Sequence, residues 1–398
     1  MITILGSTGT IGINTLSILS KVKKKYPIFA LTADKNLTLL LQQIKRYNPK
    51  YAVISDEEDA LKLKRLCLNY DVKTKILFGV KGLIYVSEHL KAKYILSAIV
   101  GAAALKPTFA AIKKGKKILL ANKESLIMSG SLMIKTAQKS GAIIIPVDSE
   151  HNAILQIMTT LGLDYNCKNM IVNRNKISYI TLTASGGPFL EYSDKELLKV
   201  TSKQAIKHPK WKMGKKISID SATMINKVYE VIEARNIFNI DYKKIKILIH
   251  PKSYVHAILK FDNGLIKIIA HDTTMKIPIF NTLYSNNDKK LKSKKIDKNS
   301  LNNLDFKIIE LKRFPMVKLL NFLPSKQSLF ETVIVSANDT LVELFLNNKI
   351  KFIDIQKKLF KIINKKKFLK LRNKYPKKIQ DIVVLNNYVR LKTLENSI

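Results

Sequence analysis

The feature that most constrains this chain is an alternation near its start, in which short β-branched apolar runs are separated by segments of helical periodicity. The run 1–5 ends at Gly6, and Ile11–Leu19 follows with apolar residues at helical spacing. A run at 29–33, a helical segment over 37–47 and runs at 51–54, 94–100, 117–121 and 142–147 continue the pattern. Short uninterrupted apolar runs suit strands buried on both faces of a parallel sheet. Strands alternating with helices predict a doubly wound sheet, because right-handed crossovers place helices on both of its faces. The expected fold class is α/β, with an N-terminal Rossmann-like parallel-sheet domain.

After Asp148 the pattern changes. Strands are expected at 177–183, 245–249, 257–261 and 265–270, the last two joined by Asp262-Asn263-Gly264 as a hairpin. Hairpins belong to antiparallel or mixed sheets, so a central α+β domain follows the first. Residues 285–303 are rich in Lys, Asn and Ser and predict an exposed connector. Helical spacing returns at 333–346 and 353–363, the second with Ile355, Leu359, Ile362 and Ile363 on one face. The expected division is 1–148, 149–284 with a lid loop near 205–215, a linker at 285–310, and a helical domain at 311–398. No internal repeat is found.

Composition narrows the function classes. A chain of 398 residues with 46% hydrophobic residues has the apolar surface for two or three cores and is not disordered throughout. No apolar run is long enough to span a membrane. Two cysteines, Cys67 and Cys167, cannot make a disulfide scaffold or a four-cysteine zinc site. A strand beginning at Ile2 leaves no room for a leader, so a cytoplasmic location is expected. The net charge of +40 can draw in nucleic acid, an acidic membrane surface or an anionic small substrate. The lysines are scattered rather than gathered in one arm, however, and Lys, Asn and Ile are over-used together. Compositional drift is the favoured reading, with no specific nucleic-acid partner and no membrane.

Several motifs can carry chemistry. Gly6-Ser7-Thr8-Gly9-Thr10-Ile11-Gly12 lies between a strand and a helix, where glycines permit a tight turn and helix N–H groups face a pyrophosphate. At the end of the second strand, Asp34 can accept from a ribose 2′-OH, whereas Lys35 and Asn36 can hold a 2′-phosphate; NAD and NADP stay tied. Asn122-Lys123-Glu124 and Asp148-Ser149-Glu150 follow later strands, at the sheet edge where ligands bind. Two such carboxylates, joined by a third, can hold Mg2+ or Mn2+, although acids also favour a helix N-terminus for its own sake. Ser185-Gly186-Gly187-Pro188 makes an anion nest or an ordinary turn. His208 and Trp211, the sole tryptophan, sit on a polar loop that reads as a lid or as an aromatic packed on a domain edge. Ser218 to Glu230 opens a helix on which Asn226, Lys227 and Glu230 share a face, as phosphate and metal ligands or as an ordinary ion pair. No H-E-x-x-H, P-loop or paired C-x-x-C occurs.

Together these stretches resemble the 1-deoxy-D-xylulose 5-phosphate reductoisomerase family. The matching segments are 6–12, 121–126, 146–153, 185–189, 208–214, 216–227 with Glu230, and 250–256, with Ser336-Ala337-Asn338 opening the C-terminal helices. Asn-Lys-Glu-Ser, Val-Asp-Ser-Glu-His and Ser-Ala-Thr-Met are jointly highly specific. The resemblance implies NADPH binding by Thr8, Gly9, Thr10, Ile11, Lys35, Asn36, Asn122, Glu124 and Gly214. It implies Asp148, Glu150 and Glu230 as ligands of Mg2+, Mn2+ or Co2+, and as catalytic residues together with Lys123. Lys123, Ser149, Glu150, Ser185, His208, Ser221, Asn226, Lys227 and Glu230 are implied to hold the phosphosugar, with Ser185, Ser221, Asn226 and Lys227 nearest its phosphate. The implied reaction is a metal-dependent rearrangement by retro-aldol cleavage and re-addition, followed by NADPH reduction to 2-C-methyl-D-erythritol 4-phosphate, in a homodimer. Two departures stand out: Asp34 replaces a usual Gly, where an acid repels a 2′-phosphate, and Val228-Tyr229 replaces a usual Gly-Leu. The competing readings are another NAD(P)-dependent Rossmann dehydrogenase, needing no divalent metal, and a basic nucleic-acid-binding protein, retained on nucleic acid in a salt-dependent way.

Overall fold

A computed structural model describes residues 1–22, 26–161, 176–284, 290–295 and 298–397. Cys167 and part of the expected connector lie outside the described residues. The N-terminal strands are β1 (Ile2–Leu5), β2 (Ile28–Thr32), β3 (Tyr51–Ile54), β4 (Lys75–Phe78), β5 (Tyr94–Ser97), β6 (Lys117–Leu120) and β7 (Ile143–Pro146). All pair in parallel, in the order β4-β3-β2-β1-β5-β6-β7. Successive residues feed opposite faces of this sheet. Ile4, Leu31, Leu96 and Leu119 pack into one core, while Leu5, Ala30, Ile95 and Ile118 pack into the other. Helices cover both faces, which is why the strands are apolar at nearly every position. The chain order reverses at β1, and the crevice beyond that switch point is where open α/β sheets bind ligands.

The second sheet contains β8 (Ile177–Ala184), β9 (Ile245–Ile249), β10 (Val255–Phe261), β11 (Ile266–Ala270) and β12 (Lys307–Ile308), in the order β11-β10-β8-β9-β12. It is mixed: β8 and β9 run parallel, and the expected hairpin β10–β11 is antiparallel, turning at Gly264 with φ +87°. Helix Ser149–Thr160 leaves β7 and packs on β10 and β11, so the first sheet leads directly into the second. Helix Ile225–Phe238 packs on helix Lys123–Ser140, which also supports helix Phe330–Leu346 of the C-terminal group. The predicted face of helix Phe352–Ile363 is buried, with Ile355 and Ile363 fully enclosed. Helix Lys276–Tyr284 returns to the first sheet, where Ile279, Phe280 and Leu283 join its core.

Several elements differ from the sequence reading, among them β12, which pairs with β9 from inside the expected linker. Strand β4 has no counterpart in that reading: this is an edge strand whose four residues are all partly exposed, so it carries no buried apolar run. The C-terminal helix Ile379–Glu395 has none either, since few of its residues are buried. The helix expected from Ser218 through Glu230 is instead two helices, Lys215–Ala222 and Ile225–Phe238. They break at Thr223-Met224, where Met224 takes a left-handed φ of +64°. A non-glycine residue rarely adopts that conformation, so the corner is held by its surroundings. It re-aims the chain between Ser221 and Asn226, both of which line the same cleft.

Candidate active site

The carboxyl ends of β1, β5, β6, β7 and β8 open onto one cleft of about 480 Å³. Of the site residues that the family resemblance implies, all line it except Lys35 and Asn36. Those two are exposed beyond it at the end of β2, and Asn36 spends its side-chain oxygen capping the next helix through Leu39 N at 3.1 Å.

At one end, the Gly-rich turn runs into helix Thr10–Lys21, whose Gly9 cap makes no side-chain hydrogen bond and whose first turn has no acid. That leaves N–H groups and a positive dipole end for an anion. The glycines are required by close contacts. Gly6 has φ +84°, and a Cβ there falls 2.7 Å from the Ala98 carbonyl oxygen; one on Gly12 collides with the Gly6 carbonyl oxygen. Beside the turn, Asn122 caps helix Lys123–Ser140 by accepting from Ser125 N at 2.9 Å. Its amide donates to the carbonyls of Ile99 and Gly101 at 2.8 and 3.1 Å and to Glu124 Oε2 at 3.0 Å.

Deeper in the cleft, Asp148, Glu150 and Glu230 bring carboxylate oxygens within 4.8 Å of one another. Two ammonium groups thread between them. Lys123 Nζ donates to Asp148 at 2.8 Å, Asn226 at 2.8 Å and Glu230 at 3.1 Å. Lys227 Nζ donates to Glu150 at 2.8 Å and also to Glu230. The Lys227–Glu230 ion pair on one helix face is therefore present, as part of a larger cluster. Ser149 donates to Glu150 at 2.5 Å. Burial and the neighbouring Glu230 push Glu150 up to about 7 against the pull of Lys227. Burial works against the charge on Lys123, but Asp148, Glu230 and Glu233 outweigh it and hold the ammonium well above its usual range. Burial likewise opposes ionisation of Asp148, and Lys123 and His151 overcome it to hold that carboxyl well below its usual range.

The other end is lined by hydroxyls. Gly186 and Gly187 both have positive φ, and a Cβ on Gly187 falls 2.7 Å from Ala222 Cα, so the turn after β8 lies flat against the end of helix Lys215–Ala222. That close approach sets Ser185 Oγ 3.4 Å from Ser221 Oγ. His208 Nδ1 accepts from the backbone N–H groups of Lys210 and Trp211 at 3.2 and 3.0 Å, so Nε2 carries the proton and donates to Ser185 Oγ at 2.9 Å. Burial lowers His208 to about 4, leaving it neutral and suited to hydrogen bonding rather than to charge. Trp211 is half-buried on the loop, its ring 6.0 Å from His256. Gly214 ends the loop as the cap of helix Lys215–Ala222.

Sequence reasoning missed the residues that hold these groups from behind. His151 Nδ1 lies 2.8 Å from Asp148 and Nε2 2.9 Å from the Glu230 carbonyl. With acceptors on both nitrogens, and with Glu233 and Asp148 outweighing its burial, it is raised to about 9. The Asp148–His151 spacing on one helix face was the available signal. Lys216, Asp220 and Asp339 form a second buried cluster behind Glu124. Only the Lys216–Asp220 spacing of four was visible in the sequence.

Hard oxygen donors with this mutual spacing fit a divalent cation that takes carboxylate ligands. The open helix N-terminus beside a Gly-rich turn fits a dinucleotide pyrophosphate.

Comparison with known proteins agrees along the whole chain. Residues 2–130 match the family model of 1-deoxy-D-xylulose 5-phosphate reductoisomerase, residues 144–238 its C-terminal domain, and residues 272–392 a DXP reductoisomerase C-terminal domain. The 1-deoxy-D-xylulose 5-phosphate reductoisomerase of Pelagibacter ubique is 48% identical over 100% of this chain and 99% of its own, and that of Proteus mirabilis 41% identical over 98% and 97%. Among solved structures, a DOX-P reductoisomerase in complex with NADPH, fosmidomycin and magnesium superposes with a TM-score of 0.91 at 34% identity, covering 99% of this chain and 97% of that one. The Zymomonas mobilis enzyme in complex with NADPH gives 0.85 at 34% identity, covering 100% and 98%. Motifs, fold and cleft thus lead to one conclusion: this chain belongs to the 1-deoxy-D-xylulose 5-phosphate reductoisomerase family.

Proposed function

We propose that the chain converts 1-deoxy-D-xylulose 5-phosphate to 2-C-methyl-D-erythritol 4-phosphate, with NADPH and a divalent cation bound in this cleft. The observation that carries this reading is the cluster of Asp148, Glu150 and Glu230, interleaved with Lys123 and Lys227, in the cleft that also receives the Gly-rich turn. A metal-free Rossmann dehydrogenase has no use for three converging carboxylates, and a nucleic-acid-binding surface has no use for an enclosed cleft.

Residue roles follow from position. Thr8, Gly9, Thr10 and Ile11 offer the helix end to the cofactor, with Asn122, Glu124 and Gly214 forming its wall; Lys35 and Asn36 reach it from outside the cleft, at the ribose end. Asp148, Glu150 and Glu230 hold the cation, which is Mg2+, Mn2+ or Co2+. When bound, the cation supplies Lewis acidity toward the substrate's oxygens and NADPH supplies the hydride. Ser185, Ser221, Asn226 and Lys227 take the phosphate, with His208 presenting its Nε2 proton beside them. Ser149 is placed for a substrate hydroxyl. Lys123, held cationic by its acid neighbours, steadies negative charge that develops on a substrate oxygen. The loop carrying His208 and Trp211 closes over the fragments and keeps water out.

The same reading assigns residues 1–148 to the cofactor, 149–284 to metal and substrate, 285–310 to a linker and 311–398 to a helical support. A homodimer is supported by the edge strand β11, whose Ile266 and Ile268 are 56% and 45% exposed. A cytoplasmic setting suits the free, buried Cys67. A direct test of the carboxylate cluster is Mn2+ titration of the purified protein. Wild type binds the ion, and Glu230→Gln, similar in shape but uncharged, loses roughly 10²-fold in affinity while staying folded. Unchanged Mn2+ affinity in Glu230→Gln would remove that residue from the site.

A further inference from the structure

One side chain joins the cofactor wall, the lid's far end and the C-terminal helices, and the roles assigned above leave it unused. Lys216 lies two residues after Gly214, where the lid loop ends. Its Nζ is 2.6 Å from Glu124, 2.8 Å from Asp220 and 3.0 Å from Asp339. The three acids come from three places: Glu124 from the first turn of helix Lys123–Ser140, Asp220 from the helix of Lys216 itself, beside Ser221, and Asp339 from helix Phe330–Leu346. Their side chains are 8%, 1% and 10% exposed, and that of Lys216 is 16% exposed. Fully buried Tyr229 closes the cluster, its ring centroid 5.6 Å from the ammonium.

The contacts run onward from this point. Glu124 accepts from Lys216 with one oxygen and from Asn122 with the other, and the Asn122 amide holds the Ile99 and Gly101 carbonyls of the loop after β5. On the lid side, Ser218 donates twice to the Gly214 carbonyl, from its backbone N–H at 3.2 Å and its hydroxyl at 3.0 Å, fixing the end of the loop to the helix that carries Lys216. Without the ammonium, Glu124 is left facing Asp220 and Asp339 without its ion-pair partner, with Lys123 as its remaining cationic neighbour. A buried, unpaired carboxylate either turns out or takes a proton. Turning out takes one acceptor away from the Asn122 amide, and protonation weakens it, so the wall that Asn122 shares with the Ile99 and Gly101 carbonyls loosens.

We propose that Lys216 is a positioning residue for cofactor binding: through Glu124 and Asn122 it sets the wall that NADPH meets, and it pins the lid hinge to the C-terminal helices. This rests on the reading of the cleft as an NADPH site. Burial opposes the charge on Lys216, but Asp220, Asp339 and Glu124 hold it well above its usual range, so the ammonium persists at neutral pH.

The test measures NADPH affinity by cofactor fluorescence, together with the thermal midpoint, for wild type, Lys216→Met and Ser336→Ala. Ser336 donates to Asn386 at 2.8 Å between C-terminal helices, one turn before Asp339 but with no hydrogen bond to the cluster among the described residues, and controls for lost stability alone. Lys216→Met is expected to weaken NADPH binding roughly tenfold or more in protein that is still folded, while Ser336→Ala lowers the midpoint and binds NADPH as wild type does. Wild-type affinity in Lys216→Met overturns the proposal. If Lys216→Met does not fold, Lys216→Arg decides: it keeps the charge in a different shape, so weaker binding at an unchanged midpoint supports the proposal and unchanged binding overturns it. A wild-type protein that does not bind NADPH would instead overturn the reading of the cleft beneath it.

Discussion

Glu230 shows how tightly single residues are committed here, accepting from Lys123, Asn226 and Lys227 while His151 meets its carbonyl. Helical spacing announces Asn226 and Lys227, but nothing in the sequence announces Lys123 and His151, which lie in the first turns of helices that leave the first sheet. Asp34 is the opposite case, legible in the sequence and free in the structure. Its backbone carbonyl accepts from Ser55 at 2.7 Å, but its carboxylate stands exposed at the end of β2 beside Lys35. A carboxylate about 4 Å from a 2′-phosphate costs about 1 kcal/mol in water, which is ~5-fold in binding. Asp34→Gly should therefore raise the ratio of NADPH to NADH kcat/KM about fivefold. An unchanged ratio would mean that the cofactor's 2′-phosphate lies beyond the reach of this charge.

At the scale of elements, the Gly-rich turn is the most exacting piece. Gly12 sits so close to the Gly6 carbonyl that even a methyl group forces the turn open. Gly12→Ala should cost roughly 1–3 kcal/mol of stability, seen as a lower midpoint, and should weaken NADPH binding through loss of the helix-end geometry. Retained affinity would show that the turn can yield without harm. Elements of this kind were readable from sequence because local chemistry dictates them: the buried strands β1 to β3 and β5 to β7, the hairpin, and the apolar face of helix Phe352–Ile363. Those that escaped depend on their surroundings. Strand β4 exists because β3 offers it an edge, and helix Ile379–Glu395 because helix Phe330–Leu346 packs against it. The corner at Met224 has no Gly, Asn or Pro to mark it. Most of the cleft was legible through motifs, while the supports were legible only in the Asp148–His151 and Lys216–Asp220 spacings, since the fold alone brings Glu233 to His151 and Asp339 to Lys216.

The whole molecule keeps a buried acid that makes its stability depend on pH. Glu331 accepts from the Ser328 N–H and hydroxyl at 3.0 and 2.7 Å with one oxygen, and its other oxygen is buried without a hydrogen-bond partner among the described residues. Burial raises this carboxyl from 4.5 to about 7. The folded protein thus keeps a proton that the unfolded chain has already released. The stabilising contribution is complete below pH 4.5 and is lost as pH rises to about 7, amounting to ~3 kcal/mol at most. Glu331→Gln should flatten the fall in thermal midpoint between about pH 5 and 8; an unchanged slope would place the pH dependence elsewhere.

Every residue role assigned here depends on the cleft performing a metal-dependent reduction of one phosphosugar. The most direct measurement follows NADPH absorbance in purified protein given 1-deoxy-D-xylulose 5-phosphate, with Mg2+ or Mn2+ and then with chelator. Oxidation should require both substrate and cation, with 2-C-methyl-D-erythritol 4-phosphate as product. Oxidation that persists in chelator, or a folded protein inert with both NADPH and NADH, would contradict this reading of the cleft.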